Sequence, residues 1–272
     1  MLRSLAGILA TQTLRALALL SPKILYAMGS PLLPLYALFQ NRLRRRLDLL
    51  VAQTNLILTS PLPYYQTRLQ LAAHSLRHLT GHFNDLPLHI EGVEHYRSAL
   101  ETGKPVALLG WHQGPVELLH QIPFLTSGDR PFFVLASRGF SPRLSRMMQE
   151  GRCRKGKEIL EPGALGLRFW IRKNGILAVM IDQVPGLPKH WIPLWDGACR
   201  IPFPGRIWNF FKAHNTEMVP VSVRLDKQSI HFRYHPPIRP ANMTEDLQSL
   251  LEKSISNFPN QYNWSYSKIQ IK

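Results

Sequence analysis

Apolar residues are spaced in three different ways along this chain of 272 residues. As far as Phe39 they form two nearly unbroken runs: Leu5 to Leu20, with Arg15 inside it, and Ile24 to Phe39, with Pro31 and Pro34 inside it. Next they recur at helical spacing. Leu69, Leu71, Leu76 and Leu79, with Ala72 and Ala73 among them, predict a helix ending near Gly81. Beyond that, short apolar runs alternate with amphipathic ones. Strands are predicted at Val106 to Trp111, Phe132 to Ala136, Ile176 to Ile181, Met218 to Leu225 and Ile230 to Tyr234. Between and after them, helices are predicted at Pro115 to Phe124, from Ser141-Pro142 to about Gln149, at Leu165 to Arg172, at Ile207 to Ala213, and from Thr244 to about Phe258. Pro115 and Pro142 suit first helical positions, and Asn174-Gly175 suits a helix stop.

Parallel neighbours need a crossover between them, usually a helix, so this alternation predicts an α/β fold with a mixed, largely parallel central sheet flanked by helices. The two apolar runs predict a separate N-terminal segment, residues 1–46, ahead of an α/β domain at 47–272. A spanning helix wants ~20 apolar residues with few charges. Neither run supplies them, and joining the two puts Pro22 and Lys23 in the middle. The expectation is an apolar helical anchor lying in or shallowly inserted into a membrane surface. A cleaved leader fits less well, because Arg15 interrupts its apolar stretch.

Charge strengthens that reading. The chain carries 33 Lys+Arg against 17 Asp+Glu, a net +16, which asks for anionic partners. No acidic residue precedes Asp48, and residues 1–90 hold nine basic and two acidic ones. A segment both basic and apolar suits an anionic membrane surface, with Arg42, Arg44, Arg45 and Arg46 resting on head groups. Nucleic acid is not expected as a partner, since that cluster lacks interleaved aromatics and no RNA-binding signature appears elsewhere. A second basic stretch, Arg143, Arg146, Arg152, Arg154, Lys155 and Lys157, reads equally as a solvated face or as a dock for an acidic carrier or lipid phosphate. Cys153 and Cys199 are too few for a disulfide framework. His74, His78 and His82 are spaced by four, but Gly81 would end the helix and no carboxylate or cysteine completes a ligand set. These histidines are expected to be solvated or capping, and no metal site is expected.

The candidate chemistry lies in Gly110-Trp111-His112-Gln113-Gly114-Pro115-Val116-Glu117. His112 directly follows a predicted strand, and ligands of α/β sheets collect at the carboxyl ends of strands. From the turn before the helix, His112 would come within reach of Glu117 in its first turn. A carboxylate on one ring nitrogen fixes the tautomer and lets the other nitrogen take a proton from a hydroxyl. Gly114 and the helix N-terminus would offer N–H groups to an oxyanion. The alternative is a strand-end histidine bonded to a backbone carbonyl. An apolar slot nearby could draw on Trp111, Phe124, Phe132 and Phe133, which otherwise read as core.

The passage from Ile90 to His112 resembles the lead-in to the active site of the lipid A biosynthesis acyltransferase family. So do Ile181-Asp182-Gln183 with Pro185-Gly186, Ile192-Pro193-Leu194, and the close from Leu251-Glu252 through Pro259-Asn260-Gln261-Tyr262-Asn263-Trp264. The resemblance runs over residues 65–266. It implies transfer of a fatty acyl group from a thioester, on acyl carrier protein or coenzyme A, to a hydroxyl of a glycolipid such as a lipid A precursor. A phosphatidylinositol mannoside or lysolipid is the alternative acceptor. It further implies a place at the cytoplasmic face of the inner membrane, reached through the N-terminal segment, and no cofactor. Carried over, His112 would be the general base, Glu117 its orienting partner, Arg154 or Arg152 an anion or oxyanion ligand, and Asp182 a supporting residue at a strand end. The family's Phe-Gly-Asn-Trp-Glu reads Gln113-Gly114-Pro115-Val116-Glu117 here. That departure leaves the acceptor open, and leaves a catalytically altered membrane-surface homologue as the alternative to an enzyme.

Overall fold

A computed structural model describes residues 12–54, 56, 61–80, 86–125, 127–136, 142–153, 156–184, 186–226, 229–239, 243–266 and 268–272. The chain enters through four short helices: α1 (12–18), α2 (Pro22–Gly29), α3 (Leu33–Phe39) and α4 (Asn41–Gln53), with a single 3-10 turn at Ser30–Leu32. Prolines set all but the last of these breaks, which falls at Gln40. Pro22 opens α2 behind Ser21, whose hydroxyl accepts the Ile24 N–H at 3.3 Å, while Pro31 and Pro34 sit in the opening positions of the next two elements. A missing N–H costs nothing there.

Among the described residues no helix is long and apolar enough to cross a membrane. Large apolar side chains of this region, Met28, Leu32, Leu35, Leu38 and Phe39 among them, instead stand exposed. The expected boundary after residue 46 falls inside α4, which buries Leu43, Leu47 and Leu50 on one face in the main core. A long helix, α5 (Pro61–Thr80), packs against α2 and α3.

From there the chain alternates through β1 (Leu88–Glu91), α6 (Val93–Glu101), β2 (Val106–Gly110), α7 (Leu118–Leu125), β3 (Phe132–Leu135), α8 (Pro142–Cys153), β4 (Glu158–Leu160), α9 (Ala164–Arg172) and β5 (Ile176–Met180). It continues with β6 (His190–Leu194), β7 (Cys199–Phe203), α10 (Gly205–Ala213), β8 (Glu217–Leu225), β9 (Ile230–Tyr234), α11 (Met243–Asn257) and β10 (Gln270–Ile271). Seven strands form the central sheet in the order β1-β9-β8-β2-β5-β3-β4. Every neighbouring pair is parallel except β8 with β9.

The five predicted strands are all members of this sheet. β2 and β5 are covered on both faces: Val106, Leu108, Ile176 and Ala178 enter one core, Ala107, Leu109, Leu177 and Val179 the other. That is why each reads as a continuous apolar run. The strands that sequence missed have other patterns. β1 is a fully exposed edge strand and β4 is three residues long. β6 and β7 each contain a proline, and they lie with β10 in a separate antiparallel sheet of three strands. β2 lies between β5 and β8, so the chain leaves its carboxyl end where ligands of such sheets gather.

Candidate active site

The register of β2 on β5 brings the site together. Gly110 pairs with Met180, and the Ile181 N–H donates to the Gly110 carbonyl at 2.9 Å. His112 and Asp182 each stand two residues past the end of their strand, so they emerge side by side. The His112 backbone N–H donates to Asp182 Oδ2 at 2.8 Å, and its ring Nδ1–H donates to Oδ1 at 2.7 Å. Asp182 is only 2 % exposed and takes a further hydrogen bond from the Tyr262 hydroxyl. Burial, and then the neighbouring Asp182 charge, push that phenol well above its ordinary pKa, so it stays a donor. A carboxylate held by three donors is a fixed acceptor. With Nδ1–H committed, Nε2 keeps its lone pair, and it has no partner among the described residues.

The loop carrying His112 is shaped from outside. Gly114 has φ +67, and a Cβ there would lie 2.2 Å from the Val223 carbonyl oxygen. The helix predicted to open at Pro115 therefore begins only at Leu118. Residues 261–263 lie along this loop: the Asn263 N–H donates to the His112 carbonyl at 2.9 Å, the Gly114 N–H to the Gln261 carbonyl at 3.2 Å, and Tyr262 bridges to Gln113. The Gln113 side chain accepts from Trp111 Nε1 at 2.9 Å and from Ser254 Oγ at 2.6 Å, and donates to the Ser254 and Phe258 carbonyls. Gln113, one of three residues here that depart from the quoted pattern, thus splices the site loop to α11.

Two expectations are corrected here. The carboxylate on the His112 ring is Asp182, not Glu117. Glu117 turns to α8 and takes Arg152 in two bonds, Nη2 to Oε1 at 2.6 Å and Nε to Oε2 at 3.0 Å. A guanidinium offers paired donors and a full charge to a carboxylate that is otherwise buried, the stronger of the two partnerships. Burial alone would push the Glu117 carboxyl up, but Arg152's charge and hydrogen bonds outweigh it and hold the group below the usual range. The second correction concerns Gly114, whose N–H is spent on Gln261 and is not free for an oxyanion. Arg154 lies outside the described residues. Arg152 keeps Nη1 without a partner among them and lines the same cavity as His112.

That cavity measures about 640 Å³, within the ~300–1,000 Å³ of ordinary ligand sites. Leu108, Leu119, Val134, Ala178 and Ile207 make much of its wall aliphatic, and His112, Glu117, His120, Arg152 and Lys268 add polar groups. Of the four aromatics considered for this role from sequence, Trp111, Phe132 and Phe133 are buried core residues instead, and the Phe124 side chain lies outside those described.

Behind Glu117 lies a polar cluster that sequence reasoning did not find. His74 and His78 on α5 are buried, not solvated, because α5 packs on α8; His82 lies outside the described residues. His120 of α7 joins them, with Nε2 3.9 Å from Glu117 Oε2. Among the described residues no three His, Cys, Asp or Glu side chains are placed to share a metal ion. Burial first, against the pull of Glu117, lowers His120 to about 3; burial and then His74 lower His78 to about 4. Lys157 and Arg152 also face His120 and act in the same direction as burial.

Both histidines stay neutral in the folded chain, while in the unfolded chain they take protons near 6.5. Unfolded protein therefore binds the extra protons as the pH falls from about 6.5 towards 4. Stability is expected to decline over that window by up to about 1.4 kcal/mol per pH unit for each histidine. Urea denaturation at intervals through the window measures the slope, and His120→Asn is expected to flatten it.

An imidazole fixed by a buried carboxylate beside a largely apolar cavity is an arrangement that can take a proton from a hydroxyl next to a greasy substrate. The family model of bacterial lipid A biosynthesis acyltransferases matches residues 69–269, most of the chain, and the chain belongs to that family. Membership implies acyltransferase activity on a lipid. A comparison with curated proteins finds no match.

Proposed function

We propose that this protein moves a fatty acyl group from acyl carrier protein to a hydroxyl of a glycolipid such as a lipid A precursor. The observation that carries the reading is the His112–Asp182 pair beside the aliphatic cavity. In the reaction, His112 Nε2 takes the hydroxyl proton as the oxygen attacks the thioester carbonyl, and Asp182 stabilises the imidazolium that results. Arg152 Nη1 faces the oxyanion, with Glu117 holding the guanidinium in place. The tetrahedral intermediate then collapses, the C–S bond breaks, and the departing thiolate recovers the proton from His112. Each acyl methylene buried in the cavity contributes ~0.8 kcal/mol to binding. The net charge of +16 favours encounter with an acidic carrier and a phosphorylated acceptor alike.

Residues 1–46 serve in this reading as an interfacial anchor at the cytoplasmic face of the inner membrane. What supports it is the exposed apolar set from Leu19 to Phe39 followed by exposed Arg42, Arg44 and Arg45. The test is release of free thiol from acyl carrier protein thioester in the presence of detergent-dispersed glycolipids. His112→Ala is expected to lower the rate by about 10²–10⁴. If no glycolipid raises thiol release above the His112→Ala background, the proposal is overturned.

A further inference from the structure

Outside the N-terminal helices and edge strand β1, two large apolar side chains are exposed among the described residues: Leu165 at 84 % and Leu187 at 90 %. They exceed even Phe39 in exposure, and they are far apart in sequence. Both nevertheless follow closely on residues that line one cavity, the one that His112 lines. Leu165 stands three residues beyond Pro162 and Leu187 directly follows Gly186, and Pro162 and Gly186 both line that cavity.

The loop that presents Leu187 is fastened at its root. The Tyr266 hydroxyl donates to the Val184 carbonyl at 2.9 Å and accepts the Val184 N–H at 3.2 Å, while Lys268 Nζ donates to the carbonyls of Val184 and Gly186. Leu165 sits in the first turn of α9. Exposed cations accompany both: Arg168 one turn along from Leu165, Lys189 two residues past Leu187, neither ion-paired among the described residues. Arg15 of α1 pairs with Glu150 of α8 at 3.2 Å, and α8 contributes Met148, Gln149 and Arg152 to the cavity wall. The N-terminal helices therefore touch α8, which supplies part of that cavity's wall.

We propose that Leu165 and Leu187 form a lip that dips into an anionic phospholipid surface at the entrance to the cavity. Apolar tips flanked by unpaired cations match the layering of such a surface, hydrocarbon beneath phosphate. The lip lets a lipid acceptor pass from the bilayer to His112 without its chains crossing water, where each methylene would cost ~0.8 kcal/mol. The inference rests on the acyltransferase reading for its purpose, but not for its detection.

Detection uses the full chain carrying Cys153→Ser, since Cys153 is exposed and Cys199 buried. In that background, Leu187→Cys or Leu165→Cys is labelled with an environment-sensitive fluorophore. Vesicles of equal parts phosphatidylglycerol and phosphatidylcholine are expected to blue-shift the label at both positions, and to leave a label at Asp129→Cys, in an exposed turn, unshifted. Vesicle-bound protein with unshifted label at 165 and 187 overturns the proposal, as does failure to bind the vesicles. A shift produced by acyl carrier protein alone, and not by vesicles, also overturns it and assigns the lip to protein docking. In the double variant Leu165→Ser/Leu187→Ser, turnover of a vesicle-embedded acceptor is expected to fall about tenfold or more. Turnover of a detergent-dispersed acceptor should hold, and equal loss in both overturns the lip. Absence of any turnover in the unaltered protein would count against the acyltransferase reading while leaving the fluorescence result to stand by itself.

Discussion

Asp182→Asn is expected to lower kcat by about 10²–10⁴ with little change in KM. The substitution keeps the shape of the side chain and alters what it can do. An amide cannot accept from His112 Nδ1, the His112 backbone N–H and the Tyr262 hydroxyl in the way a carboxylate does, and its NH₂ group would favour the tautomer that leaves Nε2 protonated. On the proposed mechanism, the imidazole is then present but unable to receive the acceptor's proton. The loss should approach that of His112→Ala and appear with acceptors of any acyl length. Steady-state thiol release at saturating donor and acceptor measures it, and near-normal kcat in Asp182→Asn would remove this residue from the mechanism.

Breaking the Glu117–Arg152 pair should show first as lost stability. Glu117→Ala leaves the Arg152 guanidinium largely buried beside His120 and Lys157 with its carboxylate gone, and unpairing a buried ion costs about 3–5 kcal/mol. The double variant Glu117→Gln/Arg152→Met removes both charges and is expected to recover part of that loss, because the groups are coupled. Denaturant midpoints of the two single variants and the double give the coupling. Additive losses would mean that the pair does not act as a unit. Arg152→Lys is expected to recover the charge without the paired geometry, and so to fold better than Glu117→Ala while losing rate.

The legible part of this protein was the part governed by burial on both faces. The apolar runs of β2 and β5 could hardly be anything but central strands, and once they are neighbours the residues two past each end must meet. His112 was visible for that reason. Asp182 was visible only as a strand-end acid, because nothing in a linear sequence tells that β5 and not β3 lies beside β2. Glu117 was the natural partner by local spacing, and local spacing failed because the loop does not become helical at Pro115. The cause, Gly114 pressed against Val223 and tied to Gln261, comes from residues more than a hundred positions away. The motif from Pro259 to Trp264 pointed to a family without revealing its task, which is to hold the site loop. β6 and β7 were hidden by their prolines, and the buried histidines by a helix face whose neighbours are polar.

The bracing of the site loop by residues 261–263 has a consequence for synthesis. A ribosome finishes both members of the dyad long before it reaches Gln261, so an emerging polypeptide holds the base and its carboxylate without the brace that aligns them. The pair is thus held in register with its loop only once residues 261–263 have been made.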